Sequence, residues 1–284
     1  MKVVLFGATG QLGQALRAAI DPDIEVVAAP RSVDLRTAPD VEAFISAARP
    51  DWVINAAAMT DVDGAHLHPD QAFLVNSLGP AAIARACAQV GSRMIQVSTE
   101  AVFDGEYEGR YREVDACRPV SVYGAAKLAG EHLVLAYCPT AVVVRTSWLY
   151  SNGQGANFPT RLLAQLRDSV APVKVVTDIV GNPTPAPILA QGLVQAIVSG
   201  LPAGTYHVCC TGAASKHDWA RHIAQSAGFD PERIVETTSD QYVTVAARPR
   251  HVDLDTEKFE RAGLIALPAW QDAWAATWSA AHAR

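Results

Sequence analysis

The sequence predicts an α/β fold: a doubly wound, Rossmann-like parallel sheet with a smaller C-terminal α/β lobe. Three observations point there. Apolar runs rich in Val and Ile alternate with segments of helical spacing through the first half of the chain. The runs are continuously apolar, as expected of strands covered by helices on both faces. A glycine-rich turn joins the first of them to the first helical segment.

Residues 2–6 (KVVLF) read as the first strand, and 11–20, with Leu12, Leu16 and Ile20 at helical spacing, as the first helix. The alternation continues with strand 24–29 (IEVVAA), helix 39–48, strand 51–57 (DWVINAA), a long helical stretch at 69–90, strand 92–98 (SRMIQVS), helix 120–137 and strand 140–146 (TAVVVRT). After residue 146 Pro, Gly and Asn thicken (SNGQGANFP, GNPTPAP), and the strand candidates VKVV and GTYHVCC lie further apart. A smaller lobe begins there. In the C-terminal segment, tryptophans at 270, 274 and 278 stand four apart, a helix stripe that packs its own lobe.

Half of the 284 residues are apolar, enough to bury the core of one large or two modest domains. A net charge of −6 without a Lys/Arg-rich stripe gives no reason to expect nucleic acid or an anionic membrane as partner. The N-terminal apolar stretch is too short for a signal-peptide core and nothing later reads as a spanning helix, so a cytoplasmic protein is expected. The five cysteines, Cys87, Cys117, Cys138, Cys209 and Cys210, lack zinc-site spacing and read as reduced, mostly buried residues. No ligand cluster for a metal stands out.

The turn GATGQLG places Gly7, Gly10 and Gly13 between the first strand and first helix. Glycines there let the backbone turn tightly and approach a pyrophosphate, whose charge sits among unpaired N–H groups at the helix N-terminus. The spacing is G-x-x-G-x-x-G rather than G-x-G-x-x-G, so the position in the chain carries the assignment. At the end of the second strand Ala28 and Ala29 offer no carboxylate for a free ribose 2′-hydroxyl, and Arg31 and Ser32 follow at once. An arginine there accommodates a 2′-phosphate, which favours NADPH while leaving NADH open. Asp34 and Leu35 are placed to pass beside the adenine. On this reading residues 1–147, with roughly 172–210 returning to the sheet, form the NADP-binding part, and 148–171 with 211–284 the substrate lobe.

In VSVYGAAKLAGE, Tyr123 and Lys127 are four residues apart on one helix face. An ammonium beside a phenol stabilises the phenolate and lowers a pKa that otherwise lies near 10. Ser98 and Thr99 close the preceding strand, at the carboxyl end where open α/β sheets place ligands. A hydroxyl, a phenol and an ammonium are thereby expected around one carbonyl.

The motifs GATGQLG, INAAAMTDVD, VSTEAVFDG, VYGAAKLAGE, RTSWLY, GNPT and AARP stand in the order found in the extended short-chain dehydrogenase/reductases, and the chain most closely resembles the dTDP-4-dehydrorhamnose reductases over residues 1 to about 260. The resemblance implies reduction of the C4 carbonyl of a dTDP-4-keto-6-deoxy-L-hexose. It makes Tyr123 the general acid, Lys127 its tuning cation and a ribose ligand, and Thr99 a second hydrogen bond to the same oxygen. Gly7, Gly10, Gln11, Leu12 and Gly13 would surround the pyrophosphate, and Ala56, Ala57, Ala58 and Thr60 would line the cofactor channel. On the substrate side stand Thr99, Glu100, Trp148, Asn182 and Arg248, the last as a cation for the diphosphate. Trp148 reads equally as a wall for the sugar or as lobe core, Asn157 and Asn182 also as loop caps, and His207 as a core histidine.

Glu100 and Ala101 replace the aspartate and tyrosine usual in the family. The longer acid and the missing ring enlarge the pocket, so a related deoxysugar or streptose-type 4-keto sugar fits as well as dehydrorhamnose. Two other functions remain in view: a non-catalytic NADP-binding regulatory subunit, against which Thr99, Tyr123 and Lys127 argue, and a nucleotide-sugar epimerase that retains NAD, against which Ala28, Ala29 and Arg31 argue. A homodimer is compatible with the sequence.

Overall fold

The computed structural model describes residues 1–151, 155–242 and 244–282; Asn152, Gly153 and Gln154 of the SNGQGANFP stretch lie outside them. Six strands, β1 (Lys2–Phe6), β2 (Glu25–Ala28), β3 (Trp52–Asn55), β4 (Arg93–Thr99), β5 (Val142–Thr146) and β6 (Gly204–His207), form one sheet in the order β6-β5-β4-β3-β1-β2. All five pairings are parallel. The strand order reverses between β1 and β3, and the crevice beyond their carboxyl ends is where a sheet of this kind binds ligands.

Both faces are buried, which is why the strands read as unbroken apolar runs. In β1, Val3 and Leu5 join one core cluster while Val4 and Phe6 join the other, the two-residue period of a strand. The first cluster takes Leu12 and Leu16 of α1 (Gln11–Ala19); the second takes Val41 and Ile45 of α2 (Ala38–Ala48), Ile83 of α3 (Gly79–Val90) and Val134 of α4 (Val122–Tyr137). The first cluster runs on into the C-terminal lobe through α5 (Phe158–Asp168), α6 (Ala186–Val198), α7 (Lys216–Ser226) and α8 (Trp270–His282). One continuous core thus serves both sheet and lobe. The tryptophan stripe lies in it, with Trp274 1% exposed, stacked on Trp278 and packed on Tyr150.

Two segments depart from the sequence reading. The helical stretch at 69–90 is interrupted by a π-turn at Leu74–Leu78, because Pro80 has no N–H for the Asn76 carbonyl four residues back. Val173–Val176, within the segment expected to return to the sheet, pairs instead with Ile234–Thr237 in a separate two-stranded sheet; β6 alone returns, as an edge strand. His207 is fully buried, its Nδ1 3.1 Å from the Tyr111 carbonyl, and burial pushes its pKa down to about 3. All five thiols are free and only Cys117 is partly exposed. No helix among the described residues is long and apolar enough to cross a membrane.

Helix α4 is fixed by close backbone approach and by charge. A β-carbon on Gly124 would stand 2.1 Å from the Ala101 carbonyl oxygen, and one on Gly130 would stand 2.2 Å from that of Asn76, so only glycine fits at either point. One turn beyond Lys127, Glu131 meets Arg145 of β5 in a two-pronged ion pair, with contacts of 2.7, 3.0 and 3.1 Å and side chains 2% and 6% exposed. Ser98 donates to the same carboxylate. Removing one partner leaves a buried charge uncompensated. Glu131→Ala is therefore expected to lower the unfolding free energy by about 3–5 kcal/mol in urea denaturation, and the double variant Glu131→Leu, Arg145→Met to recover most of the loss.

Candidate active site

A cleft of about 870 Å³ opens at the carboxyl ends of β1, β3 and β4, reaching from the glycine turn to the C-terminal lobe. Gly7 takes φ +76°, and a β-carbon there would meet the Ala56 and Ala57 backbone at 2.7 Å. The turn after β1 thus lies directly on the loop after β3. Gly10 is the N-cap of α1, and no side chain caps it, so the first N–H groups of the helix are left without a side-chain acceptor. Gly7, Gly10, Gln11 and Leu12 line the cleft, whereas Gly13 does not. A β-carbon on Gly13 would sit 2.1 Å from the Gly7 carbonyl oxygen, so its part is close packing of helix on turn. The Gln11 side chain accepts a hydrogen bond of 3.0 Å from Asn157, the N-cap of α5, whose capping box makes it the loop cap that was one of its two readings.

Ala56, Ala57, Ala58 and Thr60, on the loop after β3, also line the cleft. Two buried amides hold that loop in place and were not singled out in the sequence. Asn55 donates to Gln96 at 2.9 Å and accepts from Ala57 N–H; Asn76, in the π-turn, clasps both backbone groups of Met59 at 2.8 and 2.9 Å. Small side chains leave the channel open while the amides behind them keep it rigid.

At the adenosine end Arg31, Asp34 and Leu35 lie outside the cleft lining. Arg31 is exposed. Asp34 is engaged by Arg36 through contacts of 2.5 to 3.0 Å, which hold its carboxyl below the ordinary range. Leu35 packs on the start of α3, where a β-carbon on Gly79 would come within 2.9 Å of it.

Tyr123, Lys127 and Thr99 come together in the cleft. Ser121 caps α4, its hydroxyl accepting from Gly124 N–H at 3.1 Å, so the phenol sits in the first turn and the ammonium one turn deeper. Thr99 is 6% exposed; its hydroxyl donates to Glu100 at 2.9 Å and offsets part of the rise in the phenol pKa. Of the two hydroxyls expected at the end of β4, Ser98 is taken up by Glu131, and Thr99 is the one that bears on the phenol. Lys127 is 4% exposed and donates to the Val97 carbonyl at 2.6 Å; burial lowers its pKa to about 8, partly offset by Glu131. The expected lowering of the phenol pKa by Lys127 is not seen. Burial, and then the Glu100 carboxylate, push the Tyr123 phenol up, because the ammonium points at Val97.

The far end of the cleft belongs to the C-terminal lobe. Trp148 has φ +40°, unusual for a residue with a β-carbon, and its indole lies so close to Gly181 of GNPT that a β-carbon there would be 2.5 Å from the ring. One ring contact is a stack on the core residue Trp219, centroids 5.6 Å apart, so Trp148 is both wall and lobe core. Arg248 lines the cleft and pairs with Asp63 at 3.1 Å. Asn182, expected at the sugar, is corrected by its burial: it is 0% exposed, and its amide is taken up by Gly212, Asp253 and Leu254, tying three segments of the lobe together. Arg161 and Lys216 complete the lining and were missed, lying on helices whose motifs carry no chemistry of their own. Burial raises the pKa of Glu100 and lowers that of Lys216 to about 7, while each charge opposes the shift of the other.

Comparison with known proteins places this geometry. Residues 1–282 match the family described as RmlD substrate binding domain. The dTDP-4-dehydrorhamnose reductase of Mycobacterium tuberculosis (strain ATCC 25618 / H37Rv) is 38% identical over 280 residues, 96% of this chain and 91% of that protein. The crystal structure of a dTDP-4-dehydrorhamnose reductase of Clostridium acetobutylicum ATCC 824 superposes with a TM-score of 0.93 at 32% identity, covering 99% of each chain. That of Bacillus anthracis str. Ames, in complex with NADP, gives 0.92 at 29% identity over 98% of each.

Gly7 and Gly10 of the turn separate backbone strain from mere proximity. Gly7→Ala puts a β-carbon at positive φ and into the next loop, and is expected to cost about 1–3 kcal/mol in urea denaturation. Gly10→Ala, with its nearest neighbour 3.4 Å away, is expected to cost under about 1 kcal/mol.

Proposed function

The chain belongs to the RmlD substrate binding domain family, and on that footing we propose that it reduces the C4 carbonyl of a dTDP-4-dehydro-6-deoxy-L-hexose with NADPH, the sugar being dTDP-4-dehydrorhamnose or a close deoxysugar or streptose-type relative. The observation that carries this reading is the convergence of Thr99, Tyr123 and Lys127 in the cleft that the glycine turn opens.

The residues present fit a dinucleotide. The Gly7 turn leaves no room for a side chain, the uncapped N-terminus of α1 offers N–H groups to a pyrophosphate, and the alanines after β3 leave a channel. At the end of β2 the Asp34 carboxylate is held by Arg36 and Arg31 stands exposed, an arrangement that favours a 2′-phosphate over a free 2′-hydroxyl. No observation favours the epimerase or the regulatory subunit.

A bound nicotinamide supplies the hydride. Charge then develops on the sugar O4, and Tyr123 delivers its proton there. A phenol held up by burial stays protonated until an acceptor as basic as that oxygen is beside it. The Thr99 hydroxyl, which donates to Glu100, turns to O4 as the sugar arrives. Lys127 holds the ribose and places a positive charge near the phenolate that proton transfer leaves behind. Trp148 walls the ring, Arg248 meets the diphosphate, and Glu100 with Ala101 widens the space beside the sugar.

Tyr123→Phe removes the acid while keeping the ring. It is expected to lower the turnover of NADPH-dependent reduction by roughly two to four powers of ten, with NADPH affinity nearly unchanged by fluorescence titration; a loss of only a few-fold would remove Tyr123 from the acid role. The Lys127 ammonium is present below its pKa of about 8 and is lost as pH rises through it. NADPH binding is therefore expected to weaken across that interval, and in Lys127→Met to be weaker and flat with pH. A panel of dTDP-4-keto sugars, read by the absorbance of the reduced cofactor, identifies the sugar; a protein that arrives with NAD bound and interconverts epimers without consuming NADPH would overturn the reduction.

A further inference from the structure

At the lobe end of the cleft three aromatic rings surround the Lys216 ammonium, its Nζ lying 3.3 Å from the centroid of Trp148, 4.8 Å from Trp219 and 4.9 Å from Phe158. The side chain starts from a rigid base. Lys216 is the first residue of α7, its N–H donates to the Ile179 carbonyl at 2.9 Å, and the N-cap Ser215 accepts from Asp218 N–H at 2.9 Å. An aromatic cage attracts the cation but uses none of its N–H donors. Among the described residues no hydrogen-bond acceptor is recorded for the ammonium, although it lines the cleft. Of the charges that bear on it, Glu100 is the attractive one and Arg161 the repulsive one. Glu100 in turn is hydrogen-bonded to Thr99 at 2.9 Å, next to the phenol.

A charged donor and a carboxylate acceptor therefore line the cleft beside the reacting group, with the Trp148 indole against the donor. A diphosphate is a poor occupant, because it would face the Glu100 carboxylate. A neutral ring bearing adjacent hydroxyls suits the pair, since each hydroxyl both accepts and donates. Resting on the reductase reading, we propose that Lys216 is a specificity-determining residue of the sugar subsite: it donates to one of the C2 and C3 hydroxyls of the 4-keto ring while Glu100 accepts from the other. The substrate class follows as a dTDP-4-keto sugar that retains both hydroxyls, with 2-deoxy and 3-deoxy sugars discriminated against at this position rather than at the catalytic phenol.

Calorimetric binding of dTDP-L-rhamnose, its 2-deoxy and 3-deoxy counterparts and dTDP itself, with NADP present, tests this without requiring turnover. Lys216→Met is expected to weaken dTDP-L-rhamnose roughly ten- to a hundredfold, the loss that follows removal of a charged hydrogen bond. It is expected to leave dTDP unchanged and to lose most of its effect on the deoxy sugar that lacks the partner hydroxyl; Lys216→Arg restores part of the affinity, and Glu100→Gln shifts the discrimination toward the other deoxy sugar. Equal loss on all three sugars, an equal loss on dTDP, or no loss on dTDP-L-rhamnose would overturn the assignment. If Lys216→Met does not melt like the parent protein, Lys216→Gln and Glu100→Gln carry the same comparison. Failure of the reductase reading has a different signature: the parent protein would consume no NADPH with any 4-keto sugar, whatever the binding pattern.

Discussion

The docking of α4 against the carboxyl end of the sheet is the constraint on which the site depends. Two glycines, Gly124 and Gly130, bring the helix backbone against the Ala101 and Asn76 carbonyls, and the buried Glu131–Arg145 pair ties its middle to β5. Tyr123 stands immediately before the first of these anchors and Lys127 between them. Their position is set by backbone contact and an ion pair rather than by flexible side chains, which is what a proton donor needs if its geometry is to hold within a fraction of an ångström. The buried pair need not add net stability to serve this end, since desolvation offsets much of its attraction.

The same economy of construction recurs around the cleft. Gly7 presses one loop on another, Gly181 lets the Trp148 indole lie flat on GNPT, and the Asn55–Gln96 and Asn76–Met59 hydrogen bonds stiffen the channel wall from behind. In each case a close backbone or amide contact fixes residues that line the cleft. Electrostatics then divide the cleft. At the dinucleotide end the donors are backbone N–H groups of α1, whereas at the lobe end Glu100, Lys216, Arg161 and Arg248 face one another across about 870 Å³ of space, with buried charges shifted toward their neutral forms.

Periodic elements were the most legible part of the chain. Continuous Val/Ile runs placed five strands of the sheet, the edge strand at 204–207 lay within the candidate GTYHVCC, and helical spacing placed α1, α2 and α4 within a residue or two. Where local pattern met a competing backbone rule the reading slipped: Pro80 forces a π-turn into what looked like one helix, and Val173–Val176 has strand chemistry but pairs in the lobe. In the site, motifs at element junctions located the glycine turn, Thr99, Tyr123 and Lys127. Residues that act across segments left no local signal. Nothing within a few positions of Lys216 marks it as a cleft residue, and Asn182 stands in a motif without disclosing that its amide is saturated in the core.

By itself the sequence determined the fold class, the strand-to-helix position of the glycine turn and the phenol and ammonium sharing one helix face, because each rests on spacing along the chain, and spacing is local. Only the tertiary structure decided the partners: that Lys127 turns to the Val97 carbonyl, that Ser98 serves Glu131 while Thr99 donates to Glu100, and that Glu100 and Lys216 oppose each other from segments over a hundred residues apart. Burial, hydrogen-bond saturation and pKa depend on what surrounds a group in space, and for a chain that crosses its sheet six times those neighbours are set by topology rather than by sequence distance.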